Sequence, residues 1–182
     1  MSVRNVLEGG SSGLAPGLVR AITDESVFRS EAVGDLKLDT VASNYGDVSL
    51  LTLSGAILDG SDDPQADVQA RNIDLIVHNG GIGADGNELE IYGAGVGQRQ
   101  NELRITTAVP ETGRLYAQAD DSIHIEQVNA ALNVLQVVSA DGNVDLKVLD
   151  TVLVNKNFSG PYGEDLNLLA TSGASLTGVP VT

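Results

Sequence analysis

The residue pattern in this chain that most resembles a chemical site is Gly80–Asp85, which reads GGIGAD. It matches the opening of the nonapeptide GGxGxDxUx, in which carboxylate and carbonyl oxygens of successive turns bind calcium. The match then ends, because the position that should be apolar is Asn87 and no second copy follows nine residues later. We therefore expect a glycine corner with Ile82 pointing inward, no metal ion, no cofactor, and a melting temperature that calcium and chelator leave unchanged. The calcium alternative would use Gly80, Gly81, Gly83 and Asp85.

Acidic residues elsewhere in the chain offer a second kind of chemistry. The segment Asp59–Gln65 holds three aspartates within five residues. We interpret it as a solvated turn, because Asp favours turns and no further acidic cluster follows at the spacing of a calcium loop. Paired carboxylates also act in glycosidases and lyases, some of which are built on parallel β-helices. The candidates for such an enzyme would be Asp62, Asp63, Asp120 and Asp121.

An enzyme of that kind usually needs cations to stabilise charge and aromatic rings to hold a sugar. This chain has 10 Lys and Arg residues in 182, and aromatic residues make up 3% of it. We therefore predict no catalytic residues. His78 and His124 follow strand alternation that sends them outward, which favours surface residues over a metal pair or a catalytic base.

Two aromatic residues near the C-terminus are candidates for binding a partner. Phe158 and Tyr162 lie close to a Gly-Pro turn and could form the rim of a binding site, although packing over the scaffold is the favoured interpretation. Leu168 belongs to the last strand that the sequence predicts. The possible interaction surface is therefore Phe158, Tyr162 and Leu168.

The elements that must position these residues are short strands. Ile73, Leu75 and Val77 occupy alternate positions, which is the period of a half-buried strand. Glycine corners such as Asn79–Gly81 stop the strands. A five-residue core recurs, in which Asp, Asn or Ser precedes an apolar residue, any residue and another apolar residue. Its copies are Gly34–Leu38, Gly46–Leu50, Arg71–Leu75, Asp121–Ile125, Gly142–Leu146 and Glu164–Leu168.

The distances between these cores predict the architecture. From Val48 to Ile73 is 25 residues, from Ile73 to Ile123 is 50, from Ile123 to Val144 is 21 and from Val144 to Leu166 is 22. We interpret the 50 as two periods. A period of about 20–25 residues made of short strands and glycine corners is typical of a solenoid whose rungs stack on one another. The sequence therefore predicts an all-β fold, a β-helix.

Length and residue pattern predict one domain with a covered beginning. The chain of 182 residues is long enough for one substantial core and too short for two. Residues 1–33 have poor periodicity, and we expect them to form an N-terminal leader or cap, with Leu18, Val19 and Ile22 on one side of a short helical turn. The β-helix domain is expected over residues 34–182.

The charge of the chain excludes two classes of partner. With 25 Asp and Glu against 10 Lys and Arg, the net charge is −15. Such a surface repels nucleic-acid phosphates and anionic lipid heads, so we expect no nucleic acid as a partner. No run approaches the roughly 18 apolar residues of a membrane span, and the first residues do not resemble a signal peptide. We expect no membrane insertion.

The stretch GGIGADGNELEI, preceded by VQARNIDLIV and followed later by SADGNVDLKV, resembles repeats of giant bacterial surface adhesins of the filamentous-haemagglutinin or hemagglutinin-repeat type. The resemblance covers residues 46–148. It implies a right-handed parallel β-helix and a secreted stalk that lies outside the cell or on the bacterial surface.

Three functions remain open at this stage. The leading one is a non-catalytic module whose partners are other β-helix modules, with possible end-to-end homo-association and a glycan or host-surface ligand. The second is a carbohydrate-active enzyme of the pectate-lyase-like kind. The third is a self-assembling extracellular filament or sheath subunit.

Overall fold

The structure, a computed structural model, describes residues 17–93, 113–129, 132–148, 152–153, 168–169 and 173–177, and its regular elements are all β-strands. In chain order they are β1 (Leu18–Thr23), β2 (Val27–Glu31), β3 (Leu36–Ser43), β4 (Val48–Thr52), β5 (Ile57–Asp59), β6 (Val68–Ala70), β7 (Asn72–Val77), β8 (Leu89–Gly93), β9 (Arg114–Ala119), β10 (Ile123–Asn129), β11 (Leu132–Ser139), β12 (Asn143–Val148), β13 (Val152–Leu153), β14 (Leu168–Leu169) and β15 (Gly173–Thr177).

The strands form two sheets that wind along a common core. Sheet A has the order β1–β3–β6–β8–β10–β12–β15, with β5 also paired to β3. Sheet B has the order β2–β4–β7–β9–β11–β13, with β14 also paired to β11. All pairings between these strands are parallel. The predicted all-β parallel β-helix is confirmed, while its right-handed sense stays a prediction.

Equivalent apolar residues of successive rungs stack into columns. In sheet A, Leu36 pairs with Ile57, Ile57 with Ile82, Ile82 with Ile123 and Ile123 with Val144. The intervals are 21, 25, 41 and 21 residues. All five side chains are at most 1% exposed. Alternate residues therefore point into one core, as the period of two predicts.

A second column in sheet B follows the same intervals. Val27 pairs with Val48, Val48 with Ile73 and Ile73 with Leu115, at intervals of 21, 25 and 42 residues. The long interval in each column contains the 19 residues 94–112, which lie outside the described part of the chain. Without those residues the intervals of 41 and 42 would be 22 and 23. The period is therefore regular, with one insertion.

The interpretation of the 50-residue interval as two periods is wrong. Ile73 belongs to sheet B and Ile123 to sheet A, so they lie in different sheets of the coil. Val144 likewise pairs with Ala174 and not with Leu166. Both sheets bury alternate apolar residues, so the same pentapeptide marks a strand in either sheet and cannot distinguish them.

The ladder also begins before the boundary expected at Val33. The helical turn expected around Leu18–Ile22 is wrong, because this segment lies in β1, which pairs with β3. Strand β2 pairs in register with β4, from Val27 opposite Val48 to Glu31 opposite Thr52. Apolar residues spaced three and four apart looked helical, but pairing with the next rung determines the conformation. A leader or cap within residues 1–16 lies outside the described residues.

Candidate functional site

The GGIGAD segment forms a corner between rungs, as expected. Ile82 is fully buried and bridges Ile57 and Ile123, which confirms its inward orientation. Asp85 is exposed, in a tight turn closed by hydrogen bonds between the backbones of Ala84 and Asn87. Within the part of the chain that the structure describes, Asp85 does not belong to any cluster of carboxylates suited to a metal.

The four candidate catalytic aspartates lie at two separate places in the fold. Asp62 and Asp63 belong to the loop between β5 and β6, and the Asp63 carboxylate accepts the Gln65 backbone N–H at 2.8 Å. Asp120 and Asp121 lie in the corner between β9 and β10, where the Asp120 carboxylate accepts the Asn79 N–H at 2.9 Å. Asp63 and Asp120 thus stabilise local backbone, and the four residues are not gathered into one cluster.

The remaining candidates divide between surface positions and residues outside the description. His78 is exposed, and Nδ1 of the partly buried His124 lies 3.4 Å from Asp145 Oδ2 on the neighbouring strand. Leu168 lies in β14, where its backbone pairs with Val137. Phe158 and Tyr162 lie outside the described residues, so the interaction surface proposed there stays a prediction.

The structure instead gathers three carboxylates that sequence analysis did not connect. We call Asp59, Asp67 and Glu90 the carboxylate cluster, because one oxygen atom from each lies within 4.8 Å of the others. Asp59 ends β5 and Asp67 immediately precedes β6, so they bracket the loop of residues 60–66. Glu90 lies in β8, which pairs with β6 from the next rung. The cluster therefore joins two successive rungs.

Backbone and loop groups orient two members of the cluster. Asp59 Oδ1 accepts the backbone N–H of Ser61 at 2.8 Å and of Asp62 at 3.0 Å, and the Ser61 hydroxyl at 3.1 Å. Asp67 Oδ2 accepts the Glu90 backbone N–H at 3.1 Å. Each of these two aspartates thus uses one oxygen to fix its own position.

Other oxygens of the cluster are buried without a hydrogen-bond donor. Asp67 is 1% exposed and Asp59 6% exposed. Asp67 Oδ1 and Glu90 Oε2 are both inaccessible to solvent and have no hydrogen-bond partner. Buried polar atoms are nearly always paired, so two such oxygens in one cluster require an explanation. The expectation of a solvated turn is wrong for Asp59, the residue that begins this loop.

The surroundings of the cluster do not neutralise it. Glu126 pairs in register with Glu90, and Lys147 pairs in register with Glu126. The Lys147 ammonium donates to Glu88 instead of reaching the cluster. Among the described residues, no Lys or Arg forms an ion pair with Asp59, Asp67 or Glu90.

Burial and mutual repulsion change the acidity of two members. Burial raises the pKa of the Asp67 carboxyl to about 9, and the charge of Asp59 and a hydrogen bond with Glu90 raise it further. Burial also raises the pKa of Glu90 to about 7; its hydrogen bond with Asp67 opposes the shift, and the charge of Asp59 adds to it. Folding without a counterion therefore favours protons on the cluster at neutral pH.

These shifts predict that the metal-free protein loses stability as the pH rises. The ordinary pKa values of the two groups are 3.8 and 4.5, well below the raised values of about 9 and about 7. Between those limits the folded chain holds more protons than the unfolded chain, so the free energy of unfolding falls with increasing pH. Melting curves in chelator from pH 5 to pH 9 should show this decline. The double variant Asp67→Asn, Glu90→Gln should show a flatter one, and an unchanged slope in that variant would contradict the assignment.

A signal for the cluster was present in the sequence. Asp67 and Glu90 are 23 residues apart, which is one rung, so the solenoid period alone places them on neighbouring strands. The search for ligands near Asp59 considered spacings within a single loop, and a site shared between rungs does not have such a spacing. The burial of Asp59 and Asp67 could not be deduced, because it depends on how the loop of residues 60–66 folds.

Comparison with protein-family models, with curated proteins and with solved structures finds no match to this chain. The described part of the chain also contains no helix long and apolar enough to span a membrane.

Proposed function

We propose that this chain is a non-catalytic structural and interaction module, an elongated segment of a bacterial secreted or cell-surface adhesin. The observation that supports this proposal is the parallel ladder, which runs through sheet A from β1 to β15 in register. Each rung of such a stack contacts mainly its neighbours, so rungs can be added without a new core. This architecture suits a protein whose task is to span distance.

The ends of the ladder support other β-helix modules as partners. Among the described strands, β1 pairs only with β3, β2 only with β4, and β15 only with β12. Strands at a sheet edge present unpaired N–H and C=O groups that another strand can pair with. On β1 and β2, Ile22 is 59% exposed and Phe28 is 71% exposed. We infer end-to-end association with modules of the same or neighbouring chains, while the outward faces would carry any glycan or host-surface contact.

The first test is self-association. We expect weak head-to-tail association in sedimentation over a concentration series, and weaker association for Leu168→Glu, which places a charge on β14 near the last rung. Ser49→Glu places the same charge on the central strand β4 and should associate like the unaltered chain. Equal association constants for all three proteins would contradict binding through the terminal rung. Open-ended growth into long polymers would favour the filament subunit instead.

The second test addresses the enzyme alternative. We expect no release of reducing ends from polyuronates or neutral polysaccharides. A strict monomer that cleaved one of them, and lost the activity in Asp120→Asn or Asp121→Asn, would replace the adhesin proposal with a pectate-lyase-like enzyme.

A further inference from the structure

We propose that Asp59, Asp67 and Glu90 form a calcium site that ties one rung of the solenoid to the next. The proposal concerns oxygen atoms whose positions are given by β5, β6 and β8. It is independent of whether the chain is an adhesin segment, and it differs from the GGIGAD motif, whose Asp85 is exposed and lies outside the cluster.

The spacing of the three carboxylates fits a shared cation. Calcium binds carboxylate oxygens at about 2.3–2.6 Å, so two ligand oxygens on opposite sides of one ion are about 4.6–5.2 Å apart. One oxygen from each member of the cluster lies within 4.8 Å of the other two. All three can therefore contact a single ion placed between them.

An independent observation at Asp67 points to the missing cation. Asp67 is 1% exposed, one of its oxygens is fixed by the Glu90 N–H, and the other, Oδ1, has no donor. A buried carboxylate oxygen without a donor or counterion is strongly disfavoured. No Lys or Arg side chain described in the structure reaches the cluster. A metal ion would supply both the missing partner and the missing positive charge.

The kind of ligand atoms selects the kind of metal. The cluster consists of carboxylates alone, without His or Cys, which favours a hard cation over zinc or copper. The Asn87 side-chain amide lies 2.6 Å from Asp59 Oδ2 and 3.2 Å from Asp62 Oδ1, so a further amide and a further carboxylate border the cluster. Calcium accepts six to eight oxygens in irregular arrangements, whereas magnesium requires a near-ideal octahedron. This loop-and-strand ligand set is better suited to calcium.

Calcium in this position would act as a cross-link. Asp59 and Asp67 hold the two ends of the loop of residues 60–66, and Glu90 belongs to the following rung. An ion bound to all three would fasten the loop to the neighbouring strand. The proposal reverses the sequence-based expectation that calcium leaves the melting temperature unchanged, because that expectation considered only Gly80–Asp85 and a solvated turn.

The test uses the whole chain freed of metal with chelator and titrated with CaCl2. Isothermal titration should show saturable binding with about one ion per chain. At a calcium concentration about a hundred times Kd, we expect the melting temperature to rise by about 5–10 °C. MgCl2 at the same concentration and matched ionic strength should raise it much less. Equal shifts with both salts, or no saturable binding, would overturn the proposal, since the net charge of −15 makes non-specific screening the alternative.

Matched variants separate this site from the others. Asp67→Asn should weaken calcium binding at least tenfold, and in chelator it should melt at or above the temperature of the unaltered chain, because it removes a like charge. A residue needed only for structure would lower the melting temperature in both conditions. Asp85→Asn should bind calcium normally; loss of binding there, with binding kept in Asp67→Asn, would move the site to the GGIGAD motif. If Asp67→Asn does not fold, Glu90→Gln, which alters a partly exposed member, gives the same comparison.

Discussion

Replacement of Leu75 by Asp should destabilise the protein by at least about 4 kcal/mol, enough to unfold a domain of ordinary stability. Leu75 is fully buried in β7 and pairs with Leu50 on one side and Ala117 on the other. Removing a buried leucine side chain costs about 2–5 kcal/mol by itself, and the substitution adds an unpaired carboxylate inside an apolar core. Urea unfolding followed by circular dichroism would measure the loss. Leu75→Ala, which lacks the charge, should fall in the lower range and stay measurable.

The neighbouring residue provides the control for this experiment. Asp74 points outward from the same strand, and its carboxylate pairs with the Arg114 guanidinium at 3.0 Å while remaining 30% exposed. Partly exposed ion pairs contribute about 0–1 kcal/mol, so Asp74→Asn should change the stability by no more than that. Small, equal effects at positions 74 and 75 would contradict the inward assignment of Leu75.

The local alternation of the strands could be predicted from sequence because it depends on neighbouring residues alone. Ile73 and Leu75 are both fully buried, and the pairing of Val48 with Ile73 has the predicted spacing of 25 residues. The assignment of strands to sheets could not be obtained this way. Ile73 and Ile123 have the same local pattern, yet they lie in different sheets, and the insertion before β9 hides the true interval.

The candidate site was missed for a related reason. Asp59, Asp67 and Glu90 are brought together by the pairing of β6 with β8 and by the loop that precedes β6. Their burial and the raised pKa of Asp67 are properties of that arrangement and leave no local mark in the sequence. The GGIGAD segment attracted attention because its motif is contiguous. In a solenoid, side chains one period apart are neighbours, so sites form between rungs as readily as within one loop.

The glycines of GGIGAD have a structural role that substitution can measure. Gly83 has a φ of +64°, and a Cβ built there would lie 2.1 Å from the backbone oxygen of His124 on the next rung. That oxygen belongs to the ladder, because the Ile82 carbonyl in turn accepts the His124 N–H at 2.7 Å. Any side chain at Gly83 must therefore push two rungs apart or break their pairing.

We accordingly expect Gly83→Ala to destabilise the protein by about 3–5 kcal/mol, as measured by urea unfolding. The left-handed backbone accounts for about 1–2 kcal/mol of this, and the rest comes from displacing the His124 backbone. Gly86→Ala is the matched control, because Gly86 has a φ of +81° in the same corner but open space around its Cβ position. It should lose only the backbone contribution, about 1–2 kcal/mol. If the two variants lost the same stability, close packing of rungs at Gly83 would not explain the glycine, and a role in binding a ligand would become the better explanation.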